Sequence, residues 1–234
     1  LMPIAKVMPV LNQTLVPAFS KFQSQHDLAV RYLYKSIAIT SLVLVPAIIG
    51  MACISDIFVQ LVLGDHWARV ALPLSLLSIM ALFKIVSLFV RSVMNSMGYP
   101  DVGLKSSIIS LVCMVSAVMF GVKFDVMGVV AAVFATELIG LLTIMLLSKR
   151  SINITFTGIF GGMRPALYCA AIMAVSVLAV QVLGGLSARW ADLILVVGIG
   201  VFTYLISLRL LFANMLQDAL LLLFGERFYQ LFQK

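Results

Sequence analysis

Apolar residues run through this chain in blocks of roughly twenty, separated by short polar breaks. A soluble amphipathic helix would instead show a stripe along one face. The blocks occupy residues 36–55, 70–97, 106–122, 126–148, 165–188 and 193–208. A helix crossing a hydrocarbon core about 30 Å thick needs about 20 residues at about 1.5 Å each, which matches these lengths. Inside that core every backbone N–H and C=O needs a partner within the protein, so each block is predicted to be helical. Residues 1–19 form a further apolar stretch, with Pro3, Pro9 and Pro17 and no basic region ahead of it. It reads as the end of a partial transmembrane helix, not as a signal peptide. With no initiating methionine, the chain is expected to be a segment lacking an upstream half. Residues 213–234 mix apolar positions with Asp218, Glu226 and Arg227, the pattern of an interfacial helix. The expected organisation is thus a partial helix over 1–19, a six-span bundle over 36–212 and a cytoplasmic interfacial helix over 213–234.

The breaks carry turn chemistry. Gly64-Asp65-His66-Trp67 separates the first two blocks, and Gly98-Tyr99-Pro100-Asp101 ends the second with residues that continue a helix poorly. Residues 123–125 make a tight link, 149–164 a longer polar connection, and Gly184-Gly185 precedes Arg189-Trp190. Trp67, Trp190, Tyr99 and Tyr204 near span ends read as interfacial aromatics. Pro46 inside the first span removes one backbone hydrogen bond and predicts a bend, static or hinge-like.

Composition agrees. Hydrophobic residues make up 63% of the 234 residues and charged ones 11%, with mean hydropathy +1.16. A soluble domain carries about 25% charged residues, so there are too few here to cover a globule in water. The net charge of +7 would suggest nucleic acid in a soluble protein, but the cations sit at block ends and report topology instead. Ten of them fall in one alternate set of breaks, including Arg31, Lys35, Lys105, Lys149 and Arg150. Three fall in the other: Arg69, Lys123 and Arg189. Excess Lys and Arg marks the cytoplasmic side, so the Gly98 break, the Lys149 break and the C-terminus are expected there. Cys53, Cys113 and Cys169 lie inside apolar blocks without a CxxC pattern, and His26 and His66 stand far apart. Neither a disulfide framework nor a metal site is expected.

Three segments resemble one family. Val16-Pro17-Ala18-Phe19-Ser20-Lys21-Phe22-Gln23 is similar to the Pro-Ala-Phe-Ser-basic-x-Gln signature of bacterial polysaccharide flippases. Leu63-Gly64-Asp65-His66-Trp67 resembles their Leu-Gly-x-x-Trp turn, and Met97-Gly98-Tyr99-Pro100-Asp101 their Gly-x-Pro-Asp turn. Order and spacing match as well. These are the O-antigen and exopolysaccharide exporters of the multidrug/oligosaccharidyl-lipid/polysaccharide (MATE-like) superfamily. The resemblance implies an all-α multi-pass bundle, one lobe of a two-lobed transporter, with this chain as its C-terminal half. It also implies translocation of an undecaprenyl-diphosphate-linked oligosaccharide across the bacterial inner membrane. The implied partners are that substrate, membrane lipids, the N-terminal lobe, and polysaccharide polymerase or glycosyltransferase machinery.

No P-loop, GxSxG or HExxH motif is present, so no enzyme chemistry and no cofactor is expected. Flipping a lipid breaks no covalent bond; it needs a polar path for a charged headgroup. Lys84 and Arg91 lie about two turns apart on the second span, with Ser87 between them and Asn95 after them, forming a polar stripe on an apolar helix. A charge at the helix centre costs at least about 2.5–3.5 kcal/mol and usually faces a cavity or a partner. Two cations suit a diphosphate, and Arg can bind it through two nitrogens. Against this, Arg91 is only roughly 10 Å from the cytoplasmic end and can snorkel there. Glu137, mid-span in the fourth block, fits an ion pair with Lys84 or Arg91, or a proton carrier. Lys6 on the partial helix is a further candidate for the same cavity. Two other functions stay open: a cation-coupled drug exporter of the same superfamily, expected to have an acidic cavity, and an inactive or structural half-transporter.

Overall fold

A computed structural model describes residues 26–152, 154–184 and 190–212. The stretches 1–19 and 213–234, and with them Lys6 and the Pro-Ala-Phe-Ser segment, lie outside the described residues. Six α-helices follow one another: α1 (His26–Val62), α2 (Ala71–Ser96), α3 (Pro100–Gly121), α4 (Asp125–Ile152), α5 (Phe156–Gly184) and α6 (Trp190–Leu211). Short 3-10 turns, Asp65–Val70 and Val122–Phe124, join α1 to α2 and α3 to α4. No strand occurs among the described residues. Five helical runs are long and apolar enough to span a membrane. One of them, Pro100–Ile152, has 53 residues and folds back on itself at the Val122–Phe124 turn, so it contains both α3 and α4.

The described part of each apolar block falls almost entirely on one of these helices, but two boundaries differ from expectation. α1 begins at His26, ahead of residue 36, with Asp27 in its first turn where a carboxylate complements the helix dipole. α5 begins at Phe156, ahead of Pro165, and the expected polar connection over 149–164 is largely helical. Pro165 was the obvious start because proline favours the first helical turn. Here it sits inside the helix instead.

The turn between α2 and α3 shows how a break is built. Gly98 has φ 84°, a left-handed conformation that strains residues with a Cβ. The Tyr99 N–H donates to the Met94 carbonyl at 2.9 Å and the Gly98 N–H to the Asn95 carbonyl at 3.3 Å. That pair of bonds is the Schellman closure of a helix C-terminus. Pro100 then opens α3, where its missing N–H leaves no intrahelical bond unmade.

The described residues fall into two compact units. The first comprises residues 26–37 and 79–161. Here α3 and α4 form a tight antiparallel hairpin. A Cβ on Gly128 would lie 2.3 Å from the Gly121 carbonyl oxygen, and one on Gly121 would lie 2.7 Å from that of Gly128. Small residues let backbones approach this closely where lipid supplies no hydrophobic drive between helices. Phe83 of α2 meets Phe134 of α4 edge to face, centroids 5.7 Å apart. The Tyr34 hydroxyl accepts the Thr155 N–H at 3.0 Å and bonds the Thr155 hydroxyl at 3.1 Å, joining the start of α1 to the start of α5.

The second unit comprises residues 38–78 and 162–212. Its central contact repairs a defect made by proline. Pro46 lies inside α1 and has no N–H to give the carbonyl of Leu42, one turn earlier. The buried Tyr204 hydroxyl of α6 donates to that carbonyl at 2.7 Å. Tyr204 is therefore not the interfacial aromatic that its position near a span end suggested. Gln181 of α5 donates to the Cys53 carbonyl at 3.1 Å, and Ser176 and Thr203 bond at 3.1 Å between α5 and α6. Large side chains such as Val182, Leu183, Phe202 and Leu210 are exposed, as expected where acyl chains are the solvent. Trp67 and Trp190 are exposed at helix ends.

Tyr204→Phe should lower stability in detergent by about 1 kcal/mol, the size of an interhelical hydrogen bond in a membrane protein. In a Pro46→Ala background, where residue 46 supplies its own N–H, the same change should cost much less. A thermal or denaturant unfolding cycle of the four proteins checks this; equal losses in both backgrounds would contradict it.

Candidate functional site

The first unit contains a cavity of about 270 Å³ between α2, α3 and α4. α2 contributes Lys84, Ser87, Leu88 and Arg91, and α3 contributes Ser107, Ser110, Leu111 and Met114. Both sets follow the i, i+3, i+4, i+7 spacing of one helix face. α4 adds Thr136, Glu137 and Gly140. Lys84 and Glu137 each stand near the middle of their helix, and α2 and α4, both antiparallel to α3 between them, run in the same direction, which brings the two residues to similar depth. The cavity extends from that level to Arg91 and Ser107, toward the end of the bundle that carries the Gly98 turn.

Lys84 Nζ donates to Glu137 Oε1 at 3.2 Å. The side chains keep 37% and 25% of their exposure, so the pair lines the cavity instead of being sealed behind it. Glu137 therefore pairs with Lys84, not Arg91. Arg91 Nη1 donates to the Ser107 hydroxyl, which passes its own proton to the Gly103 carbonyl at 2.9 Å. Gly103 makes room for this contact: a Cβ there would lie 3.2 Å from Arg91 Cγ and 3.0 Å from Asn95 Oδ1. Arg91 thus turns across to α3 along the cavity wall, a different arrangement from a side chain snorkelling to the interface.

The remaining donors decide what the cavity can hold. Ser87 and Thr136 spend their hydroxyl protons on their own helices, on the carbonyls of Phe83 and Val133. Arg91 Nε and Ser110 Oγ are buried and lack a hydrogen-bond partner. An ammonium has three donors, and Glu137 Oε1 takes one of them. Lys84, Arg91 and Ser110 thus line one space, and Lys84 keeps donors beyond the one given to Glu137, which suits an acceptor-rich anionic group.

The structure brings Lys84, Ser87, Arg91 and Glu137 together on this cavity. Asn95 is exposed beside Gly103 and does not line it. Lys6 lies outside the described residues. Sequence reasoning missed Ser107, Ser110, Thr136 and Gly140. The hydroxyls of Ser107 and Ser110, one turn apart on an apolar helix, were the available signal. Gly140 matters by what it lacks: a Cβ would come within 2.9 Å of Ser110 Oγ. Among the described residues no cluster of three metal-ligating side chains occurs.

Among the described residues, long apolar helices without strands, with the mid-helix charges Lys84 and Glu137 paired, define an all-α multi-pass membrane protein. A family model described as "Polysaccharide biosynthesis protein" matches residues 1–72. The chain is 26% identical over 119 residues to the lipopolysaccharide biosynthesis protein WzxC of Escherichia coli K12, covering 51% of this chain and 24% of that protein. It is 24% identical over 130 residues to a membrane protein of the cps region of Klebsiella pneumoniae, covering 56% and 26%. It is 25% identical over 175 residues to the teichuronic acid biosynthesis protein TuaB of Bacillus subtilis 168, covering 73% and 36%. The matched stretches thus span about a quarter to a third of these relatives. No solved structure matches the chain. These matches make the chain similar, over part of its length, to bacterial membrane proteins of polysaccharide biosynthesis.

Lys84→Met alone should destabilise the protein by about 1–2 kcal/mol, because it leaves the Glu137 carboxylate without its cation in a half-buried place. Lys84→Met with Glu137→Leu should return most of that loss. Unfolding midpoints of the single and double variants in detergent check this; additive losses would show that the two side chains do not interact.

Proposed function

We propose that this chain is the C-terminal part of a two-lobed transporter that moves an undecaprenyl-diphosphate-linked oligosaccharide from the cytoplasmic to the outer leaflet of the bacterial inner membrane. In this reading its six helices cross the bilayer six times, with the Gly98 turn, the α4–α5 junction and the C-terminus in the cytoplasm, following the distribution of Lys and Arg. The names of the relatives, which concern lipopolysaccharide and teichuronic acid biosynthesis, support the substrate class.

The observation that carries the proposal is the cavity, lined by Lys84, Arg91 and Ser110 and reaching mid-helix level at the Lys84–Glu137 pair. Its volume of about 270 Å³ lies just below the about 300–1,000 Å³ typical of small-molecule sites. That suits a diphosphate, with the oligosaccharide occupying space beyond it and the polyprenyl tail remaining in lipid. Moving such a headgroup needs compensating charge, because bare charge in hydrocarbon is costly. Lys84 and Arg91 would supply it, with Ser87 on the same face; Lys6 of the N-terminal segment would add a third cation. The step is physical transfer, with no covalent bond made or broken.

A drug exporter of the same superfamily is the weaker reading. Its cationic substrates need an acidic cavity, whereas Lys84, Arg91 and Glu137 together carry a formal +1. A charge-assisted hydrogen bond contributes about 1.5–3 kcal/mol, so losing one should reduce transport about tenfold or more. In the full-length protein, Lys84→Ala and Arg91→Ala should each reduce export of lipid-linked repeat units by that factor at normal membrane levels. Lys105→Ala, whose ion pair with Asp101 is exposed, should export normally. Undiminished export by both cavity variants would end the proposal.

A further inference from the structure

We infer that Glu137 is an internal counter-anion: it holds Lys84 while the cavity is empty, and an incoming anionic headgroup displaces it. The inference rests on the proposed reading of the cavity as a headgroup site and adds a mechanism of competition within it.

Lys84 is the cation nearest mid-membrane, and its contact with Glu137 is a single 3.2 Å bond. Glu137 lines the same cavity as Arg91 and Ser110, so it occupies the position of an anionic ligand from the side. A pair closed to solvent on all sides would be structural only. This one remains partly exposed on both partners, so a ligand in the cavity can reach Lys84 without unpacking a helix. Elsewhere on the wall the donors are unoccupied: Arg91 Nε and Ser110 Oγ have no partner. The cavity wall therefore offers an anion the Arg91 guanidinium and one cation already engaged by a carboxylate.

Charge accounting gives the consequence. Among the described residues lining the cavity, the charged groups are Lys84 and Arg91 from α2 and Glu137 from α4, while α3 contributes the neutral hydroxyls of Ser107 and Ser110. The charged pair on α3, Asp101 with Lys105, is exposed at the helix start. Empty, the wall carries +1. A diphosphate with two negative charges would bring the sum to −1 and leave Glu137 without its cation. Removing the Glu137 charge should therefore favour loading, because it both releases Lys84 and removes the competing anion.

The test measures binding of inorganic pyrophosphate to the purified full-length protein in nanodiscs at neutral pH. Glu137→Gln should bind about fivefold more tightly than the unaltered protein at neutral pH, the scale set by releasing a partly exposed ion pair. Glu137→Asp, whose shorter carboxylate draws back from Lys84, should fall between them and guards against a folding defect in the first variant. In the Lys84→Met background the Glu137→Gln gain should vanish. If the unaltered protein binds, Arg91→Ala weakens binding, and Glu137→Gln brings no gain, the competitor role is overturned while the cavity reading stands. If neither the unaltered protein nor any variant binds pyrophosphate, the cavity reading fails and this inference with it.

Discussion

Everything in this molecule follows from the scarcity of water as a hydrogen-bond partner in the hydrocarbon core. Each polar group placed there must find its partner inside the protein or face a polar cavity. For the backbone the solution is the helix, which satisfies its own ladder. For the exceptions the solution is local and specific. Pro46 leaves the Leu42 carbonyl without its helical donor, and Tyr204 reaches over from another helix to supply one. Lys84 and Glu137 would each be costly alone at mid-helix; together they form one contact on the rim of a shared space. The proline repair and the ion pair answer the same constraint, one for the fold and one for the site.

The constraint also explains why glycine and serine are so prominent. Between helices surrounded by lipid there is little hydrophobic drive, so close backbone packing and short polar contacts take over. Gly121 and Gly128 bring α3 and α4 together at one end of their hairpin. Gly103 and Gly140 work differently, by leaving room for Arg91, Asn95 and Ser110 at and beside the cavity wall. Most hydroxyls bond back to their own helix, which makes Ser110 informative: its proton is unspent and it faces the same space as Lys84 and Arg91.

Much of this was legible in the sequence, for reasons that can be named. The apolar blocks had to be helices, and the Gly98-Tyr99-Pro100 turn announced itself through a glycine that can adopt positive φ followed by a proline that can open a helix. Lys84, Arg91 and Glu137 stood out because ionised groups are rare in such blocks. The starts of α1 and α5 were not legible, because they extend past the apolar block into polar residues where hydropathy gives no edge. Asn95 shared the helical stripe with Lys84 and Arg91, but the cavity closes before reaching it. Ser107 and Ser110 were hidden by being ordinary: a serine on an apolar helix gains meaning only when the facing helix is known. Tyr204 looked like an interfacial aromatic because proximity to a span end says nothing of the carbonyl that Pro46 leaves open elsewhere.

The central claim is that a polar cavity, and not lipid, faces the charged stripe of α2. Substituted-cysteine labelling in a full-length protein free of other cysteines tests it most directly. Ser110→Cys should react with a membrane-impermeant thiol reagent and be protected by pyrophosphate. Val112→Cys, on an exposed apolar part of the same helix away from the cavity, should remain unreactive. An inert Ser110→Cys beside a reactive Val112→Cys would mean that α3 presents the opposite face to water, and the account would be wrong.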